Sequence, residues 1–435
     1  MLSRLSGRQA GPTARRLPAG VADAAFSSVA TLICGIVAVR RLGAEPLGVY
    51  ALFNGAFLVA GVVPTTLVFT PAQVAVLAEE PHRHLRYLVP VIRHGLFVAG
   101  VASLLACGVA ALFTGGSGAD VVIPLGATAL AASVISPLQD FVRRMLHQAG
   151  FSWTAVVIAM AQLTVVLGIV GTMLVVGVPP VWIPFTALGT ANLLSGALAL
   201  VLIRRRGHLR DRGTIGPAAL IRSGKWLLIQ GLSQYGMWFA AVAIVTALAS
   251  HQDAGYAEAA RVLAQPPVVL AMGLMSVIGP RIMGATQAAD WGRARRLRRG
   301  YAAVLVAASC GYAFVVGIAW PFNPLVTWFA PAYVTRGLVA AMILGQTSVW
   351  LAMIVANQAI SAREERNVAR AGILAAVVQA IVTLALGHWG ALAIPAGLVA
   401  YAAVLGARLE PVVRRLQGTP APSDAAASEA PIPGV

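Results

Sequence analysis

The stretch RRRGHLRDR, residues 204–212, divides the chain into two halves of similar construction. It carries five arginines, and six long apolar runs precede it while six follow it. An even number of membrane crossings gives each half the same orientation, so we expect the halves to be related by an axis along the membrane normal. The stretch therefore predicts an all-α polytopic membrane protein with about twelve transmembrane helices in two pseudo-symmetric six-helix lobes.

The overall composition is typical of an integral membrane protein. Of the 435 residues, 58% are hydrophobic and only 11% are charged, and the mean hydropathy is +0.80. A soluble fold could not cover that much apolar surface with so few charges. The apolar runs are continuous and suit a bilayer core of about 30 Å, which needs about 20 residues per helix. Because they do not alternate with period two, we expect helices.

We predict twelve spans in a simple domain order. The spans cover residues 19–39, 47–77, 88–113, 121–146, 151–176, 181–203, 217–249, 254–283, 301–320, 335–360, 368–386 and 391–407. A basic N-terminal tail (1–18) precedes the N-lobe (19–203), a basic linker (204–216) precedes the C-lobe (217–407), and a tail (408–435) follows it. We expect the tail to be disordered from about residue 418. Kinks are predicted at Pro64 and at Pro266–Pro267.

The positive charges predict the orientation. Of the 32 Lys+Arg residues, 28 lie in the tails and in every second gap between spans. Because positive charge favours the cytoplasmic side, we expect both termini in the cytoplasm and the chain in the cytoplasmic (inner) membrane. The exceptions are Arg40, Arg41, Arg261 and Arg336.

Several functional classes are disfavoured. The net charge of +17 is divided among short loops, so it does not indicate nucleic-acid binding. Lys225 is followed by Trp226, whereas a P-loop needs Ser or Thr after its lysine. The histidines lack metal-ligand spacing, and the longest outer loop, residues 321–334, has no acidic residue for an enzyme active site. We expect no cofactor, no metal and no enzymatic activity.

Span eight carries the most informative polar residues. Glu258, Arg261 and Gln265 are spaced i, i+3 and i+7, so they share one helical face. Arg261 lies about 10 Å inside the span at 1.5 Å per residue, where a charge usually faces a cavity or a partner. Arg261 could hold an anionic head group, with Glu258 tuning it. Alternatively, the two residues could form a structural pair that closes two helices together.

Polar residues in other spans could likewise serve either a functional or a structural role. Gln230 and Gln234 of span seven could line a cavity or join helices by hydrogen bonds. Asp23 is a candidate site for coupling to an ion, or an interfacial acid near a helix N-terminus. Arg40 and Arg41 are either interfacial anchors or an outer basic rim for an anionic ligand. Asp140 is expected to be the ion partner of Arg143 and Arg144.

Short motifs repeat at equivalent places in the two halves. RLGAEPLGVYA, residues 41–51, leads into span two, and Gly255-Tyr256-Ala257 starts span eight. Arg261, Pro266 and Pro280-Arg281 follow the second motif. With the twelve-span topology, these segments resemble the multidrug/oligosaccharidyl-lipid/polysaccharide (MOP) flippase superfamily, and most of all its O-antigen and teichoic-acid exporter branch.

The resemblance implies an alternating-access flippase whose spans one, two, seven and eight line a central cavity. Its substrate would be an oligo- or polysaccharide precursor linked to undecaprenyl pyrophosphate, and Arg261 would contact the pyrophosphate. The partners implied are membrane lipids and a polysaccharide polymerase or glycosyltransferases. The alternative within the superfamily is a MATE-like drug antiporter coupled to cations or H⁺, for which Asp23 is the candidate acid.

Overall fold

A computed structural model describes residues 10–76, 80–205, 215–318 and 337–418. Several predicted features lie wholly or partly outside these ranges. They are the N-terminal tail as far as residue 9, most of the basic linker (206–214), the outer loop (321–334) with Arg336, and the tail from residue 419.

The described residues form helices and no β-strand. The helices are α1 (Ala10–Arg41), α2 (Ala44–Pro64), α3 (Thr70–Ala75), α4 (Leu88–Leu112), α5 (Ala119–Gln148), α6 (Ser152–Val176), α7 (Ile183–Arg205), α8 (Pro217–Gly231), α9 (Met237–Leu248), α10 (His251–Leu263), α11 (Gln265–Gln287), α12 (Trp291–Ile318), α13 (Leu338–Ser361), α14 (Glu365–Ala385) and α15 (Ala393–Gly418). Short 3₁₀ turns cover Pro81–Tyr87, Pro180–Trp182 and Gly387–Leu392.

These helices match the predicted spans. Among the described residues, 11 helices are long and apolar enough to cross a membrane, or up to 12 when the bent pair Gln265–Met275 and Val277–Gln287 counts as one span. The prediction of an all-helical, multi-pass membrane protein with about twelve spans is confirmed.

Two spans are interrupted by π-helical segments. The second span changes from α2 to a π segment at Thr65–Phe69, directly after Pro64, and then continues as α3. The seventh span has a π segment at Leu232–Gly236 between α8 and α9. This segment contains no proline that would have predicted it. The eighth span breaks at Ala264, so the helix restarts with prolines in its first turn. The two predicted kink sites thus coincide with irregularities in their spans, a π segment after Pro64 and a helix break just before Pro266 and Pro267; the kinks themselves remain predictions.

The helices pack in two groups. Helices α1 to α7 pack mainly on one another and form the N-terminal lobe, residues 10–205 in the described part. Helices α8 to α15 form the second group, residues 215–418, which we call the C-terminal lobe; within it, α8 and α10 also pack extensively on the first group. Between the lobes, α2 packs against α10 and α9, and α1 packs against α11. The predicted domain boundaries themselves remain predictions.

The two ends of the bundle differ in charge. We call one end the arginine-rich end, because most described arginines lie where helices begin or finish there. Its members are Arg83, Arg86, Arg143, Arg144, Arg204, Arg205, Arg222, Arg295, Arg363 and Arg415. The other end, where α1 finishes and α10 begins, is the arginine-poor end.

A glycine crossing joins the lobes near the arginine-poor end. A side-chain carbon on Gly48 of α2 would overlap the carbonyl oxygen of His251, and one on Gly255 of α10 would overlap that of Ala44. The two glycines belong to the motifs that repeat in the two halves of the sequence. Nε2 of His251 also lies 3.0 Å from the carbonyl oxygen of Phe113, in the N-terminal lobe. Backbones this close hold the two lobes together near this end.

Replacing either crossing glycine by alanine should separate the two helices. We expect Gly48→Ala and Gly255→Ala each to cost about 1–3 kcal/mol of stability, as overpacked positions do. The measurement is the Tm of the purified protein, followed by tryptophan fluorescence. Gly100→Ala on α4 is the matched control, because a side-chain carbon there meets nothing within 4 Å. A Tm for Gly48→Ala equal to that of Gly100→Ala would contradict the crossing.

Candidate functional site: a cavity between the lobes

Three neighbouring chambers that share lining residues lie between the lobes, and together we call them the cavity. The mouth chamber has a volume of about 490 Å³, the central chamber about 450 Å³ and a side pocket about 80 Å³. The mouth and central chambers share Phe57, Ser136 and Tyr235, among others. The central chamber and the side pocket share Thr31 and Gln265. The chambers extend from the middle of the bundle toward the arginine-rich end.

Both π segments border the mouth chamber. Thr65 and Thr66 come from the first segment, and Gln234 and Tyr235 from the second. Each threonine hydroxyl donates to a carbonyl one turn back in its own span. A π segment widens one turn of a helix and is frequent at functional sites. The first segment also packs directly against α8 of the other lobe, where a side-chain carbon on Gly224 would overlap the carbonyl oxygen of Thr66.

Glu258 and Arg261 form a two-pronged ion pair at the deep end of the cavity. Nε of Arg261 donates to Oε2 of Glu258 at 2.7 Å, and Nη2 donates to Oε1 at 2.6 Å. Glu258 is fully buried, and Asn54 of the other lobe donates to its Oε1 at 3.3 Å. The pair thus joins α10 to α2, as the structural alternative requires. Arg261 nevertheless lines the central chamber and the side pocket.

The remaining guanidinium nitrogen of Arg261 keeps this residue available to a ligand. Within the described part of the chain, Nη1 has no hydrogen-bond partner. The guanidinium lies 5.8 Å from the ring centre of Trp238, which also lines the central chamber. Nε1 of Trp238 is buried and makes no hydrogen bond with a described residue. Two donors without partners therefore lie together at this level.

The ion pair predicts a specific pattern of stability. Glu258→Ala leaves the Arg261 charge buried without compensation, and we expect a loss of about 3–5 kcal/mol. Glu258→Met combined with Arg261→Met removes both charges, so most of that stability should return. Thermal unfolding of the purified variants tests this. A double variant no more stable than Glu258→Ala would contradict the proposed charge compensation.

The other predicted glutamines also lie at the cavity. Gln265 lines the central chamber and the side pocket, Gln230 lines the mouth chamber, and Gln234 lines both large chambers. Arg40 and Arg41 lie elsewhere. They are exposed in the last turn of α1, outside the three chambers and at the end where the glycine crossing lies.

Asp23 belongs to a buried charge cluster beside the cavity. It lies 3.3 Å from Nη1 of Arg143 and 3.1 Å from Nε2 of His147, and its side chain is only 11% exposed. Nη2 of Arg143 donates to Oδ1 of Asp140 at 2.8 Å. The predicted pairing of Asp140 with Arg143 is confirmed, but Arg144 does not bond Asp140. Asp140 lines both large chambers, and Asp23 lines none of the three.

Two features of the cavity wall were missed by sequence reasoning. Arg144 lines both large chambers, although its spacing from Asp140 suggested an ion pair. A buried chain of side-chain amides also lines the central chamber. In it, Gln139 donates to Gln162 at 3.4 Å, Gln162 to Asn192 at 2.7 Å, and Asn192 to Ser136 at 2.6 Å. In the sequence, the only indication of these hydrogen-bonded amides is that each occurs alone within an apolar run.

No protein-family model and no curated protein matches the sequence. Solved structures do match. One is an inward-facing conformation of a multidrug resistance MATE family transporter of the MOP superfamily, with TM-score 0.73, 13% identity, and coverage of 91% of this chain and 96% of that chain.

Two further structures match less closely. One is a MOP superfamily transporter from Pyrococcus furiosus Vc1, described by the reverse polarity of its binding pocket, with TM-score 0.65, 13% identity, and coverage of 93% of this chain and 96% of that chain. The other is an outward-facing MATE family transporter, with TM-score 0.61, 14% identity, and coverage of 94% and 96%. At these identities the likeness concerns the fold: the chain has the helical architecture of these transporters.

Proposed function

We propose that the chain is an alternating-access transporter whose substrate passes through the cavity between the lobes. The observation that carries the proposal is the cavity itself. It is lined by both lobes and extends toward the arginine-rich end, while the Gly48 and Gly255 crossing holds the lobes together near the other end. The match to an inward-facing transporter over 91% of the chain supports the same mechanism.

Transport would require the end with the glycine crossing to open. The α2–α10 crossing and the hydrogen bond from Asn54 to Glu258 join the lobes there, so both would have to separate. The Glu258–Arg261 pair could stay intact, since both residues belong to α10. With positive charge on the cytoplasmic side, the arginine-rich end and both termini would face the cytoplasm of a cell whose inner membrane holds the protein.

The first candidate activity is drug export coupled to an ion gradient, as the names of the solved relatives suggest. Two carboxylates support it: Asp140 at the wall of the cavity, with its side chain 47% exposed, and Asp23 behind it. Arg143 contacts both, and His147 contacts Asp23. Protonation of one carboxylate would release its hold on Arg143 and change the charge beside the substrate.

The coupling role of Asp23 can be tested directly. If drug export is coupled there, Asp23→Asn should abolish drug efflux from proteoliposomes driven by a proton gradient while the protein stays folded. Asp120→Asn, in the first turn of α5 and away from the three chambers, is the control and should transport normally. Undiminished, gradient-driven efflux by Asp23→Asn would remove Asp23 from the mechanism.

The second candidate is translocation of a lipid-linked glycan that carries an anionic pyrophosphate. A specific observation favours it: two of the three charged side chains that line the cavity in the described part of the chain are arginines, Arg144 and Arg261. Guanidinium groups match phosphate oxygens closely. The amides along the central chamber would suit sugar hydroxyls. A polysaccharide polymerase or glycosyltransferases would then act with the protein.

One comparison separates the two activities. Loss of the gene should trap lipid-linked glycan on the inner leaflet if the second candidate holds, and should change only drug tolerance if the first holds.

Complementation of the gene deletion by variants then tests Arg261. Glu258→Gln with Arg261→Gln keeps the pair neutral, so we expect a folded protein whose glycan translocation falls at least about tenfold, because a charged hydrogen bond is lost. Full complementation would exclude Arg261 as the anion contact.

A further inference from the structure

Arg144 occupies an unusual position at the wall of the cavity. It lies four residues before the end of α5 at Gln148, about 6 Å from the helix end at 1.5 Å per residue. Its side chain is exposed, and it lines both the mouth chamber and the central chamber. Tyr235 of the other lobe lines the same two chambers.

The neighbouring charges are already engaged with one another. Asp140, the nearest acid in sequence, bonds to Arg143 at 2.8 Å. Arg143 is also shared with Asp23, whose other oxygen contacts His147. Arg144 makes no ion pair or hydrogen bond with any residue in the described ranges. Of the two arginines that line the cavity in the described part of the chain, Arg144 is therefore the one whose guanidinium makes no ion pair there.

The surrounding wall adds neutral groups that can donate hydrogen bonds. Gln230, Gln234 and Asn357 bring side-chain amides to the same mouth chamber. These residues belong to the C-terminal lobe, whereas Arg144 belongs to the N-terminal lobe. A guanidinium between low-dielectric walls attracts anions more strongly than one on an open surface.

We propose that Arg144, with Tyr235 and these amides, is a recognition subsite for a phosphate-type anionic group at the mouth of the cavity. It is separate from Arg261, whose guanidinium is largely engaged by Glu258 at the deeper level. The inference rests on the proposed transport function and narrows its substrate to one that carries an anion. An anionic group would meet Arg144 first and Arg261 later on its way across.

The rate at which a charged reagent labels a nearby thiol reports the electrostatic potential that Arg144 creates, and the substrate need not be known. Thr65→Cys places a reporter in the mouth chamber, in a background where Cys34, Cys107 and Cys310 are alanine. The rates of labelling by an anionic and a cationic methanethiosulfonate are then compared. We expect the anionic-to-cationic rate ratio to fall about fivefold in Arg144→Gln, because a unit charge that lines the same chamber as the reporter is removed.

Two variants serve as controls. Arg144→Lys keeps the charge and should keep most of the ratio. Arg204→Gln removes an exposed arginine at the same end of the bundle, outside the three chambers, and should leave the ratio unchanged. An unchanged ratio in Arg144→Gln would overturn the subsite, and so would a Thr65→Cys reporter that neither reagent labels. Neither result depends on transport, so the proposed function could survive them.

Protection experiments identify the source of the anion. Thr65→Cys protein in phosphatidylcholine nanodiscs is labelled with the anionic reagent in the presence of free pyrophosphate, or after part of the lipid is replaced by phosphatidylglycerol. Protection that is lost in Arg144→Gln supports the subsite. Protection by pyrophosphate would identify a free anion as the ligand. Protection by phosphatidylglycerol would identify a lipid head group. Failure of both ligands to protect would contradict recognition of phosphate-type anions.

Discussion

The close crossing of α2 and α10 is the contact on which the rest of the cavity depends. Glycine at positions 48 and 255 lets each helix approach the backbone of the other, with His251 and Ala44 as the opposing residues. The cavity lies on the side of this crossing that faces the arginine-rich end, where the lobes also meet at Gly224 of α8 and Thr66. The same contact places Asn54 beside Glu258, so that a buried acid is shared between lobes.

In a bilayer, the partners of a buried charged side chain determine whether that side chain is available to bind a substrate. No water is present to solvate a lone carboxylate or guanidinium in the hydrocarbon core, so a charge there needs a partner or a polar cavity. Glu258 accepts two hydrogen bonds from the guanidinium of Arg261, and Arg143 is shared between Asp23 and Asp140. Arg144 lines the mouth chamber and forms no ion pair with any described residue. Its surroundings therefore suit a substrate group better than a structural partner.

The architecture was predictable because hydropathy reports a local physical requirement. The predicted span at residues 88–113 corresponds to Leu88–Leu112, and the one at 151–176 to Ser152–Val176. Proline also acts locally, through its missing N–H, so the breaks at Pro64 and before Pro266 followed from the sequence. The π segment at Leu232–Gly236 did not, since no residue there forbids an α-helix and packing against the other lobe decides its form.

The site was only partly predictable. The i, i+3 spacing indicated the Glu258–Arg261 pair, because its geometry is set within one helix. The same rule could not choose between Arg143 and Arg144 as the partner of Asp140, since both lie one turn away. That choice depends on Asp23, which comes from a distant span and attracts Arg143. The chain of amides through Gln139, Gln162 and Asn192 likewise joins three separate helices.

The sequence alone determined that the chain is a multi-pass helical membrane protein, where its helices lie and where two of them break. These properties follow from the apolar length needed to cross a bilayer and from the chemistry of single residues. Only the tertiary structure decided which face of each helix borders the cavity, that Gly48 and Gly255 hold the lobes together near one end, and that Arg144 is the charge left open to a ligand. Those outcomes depend on contacts between residues more than two hundred positions apart, which no local pattern contains.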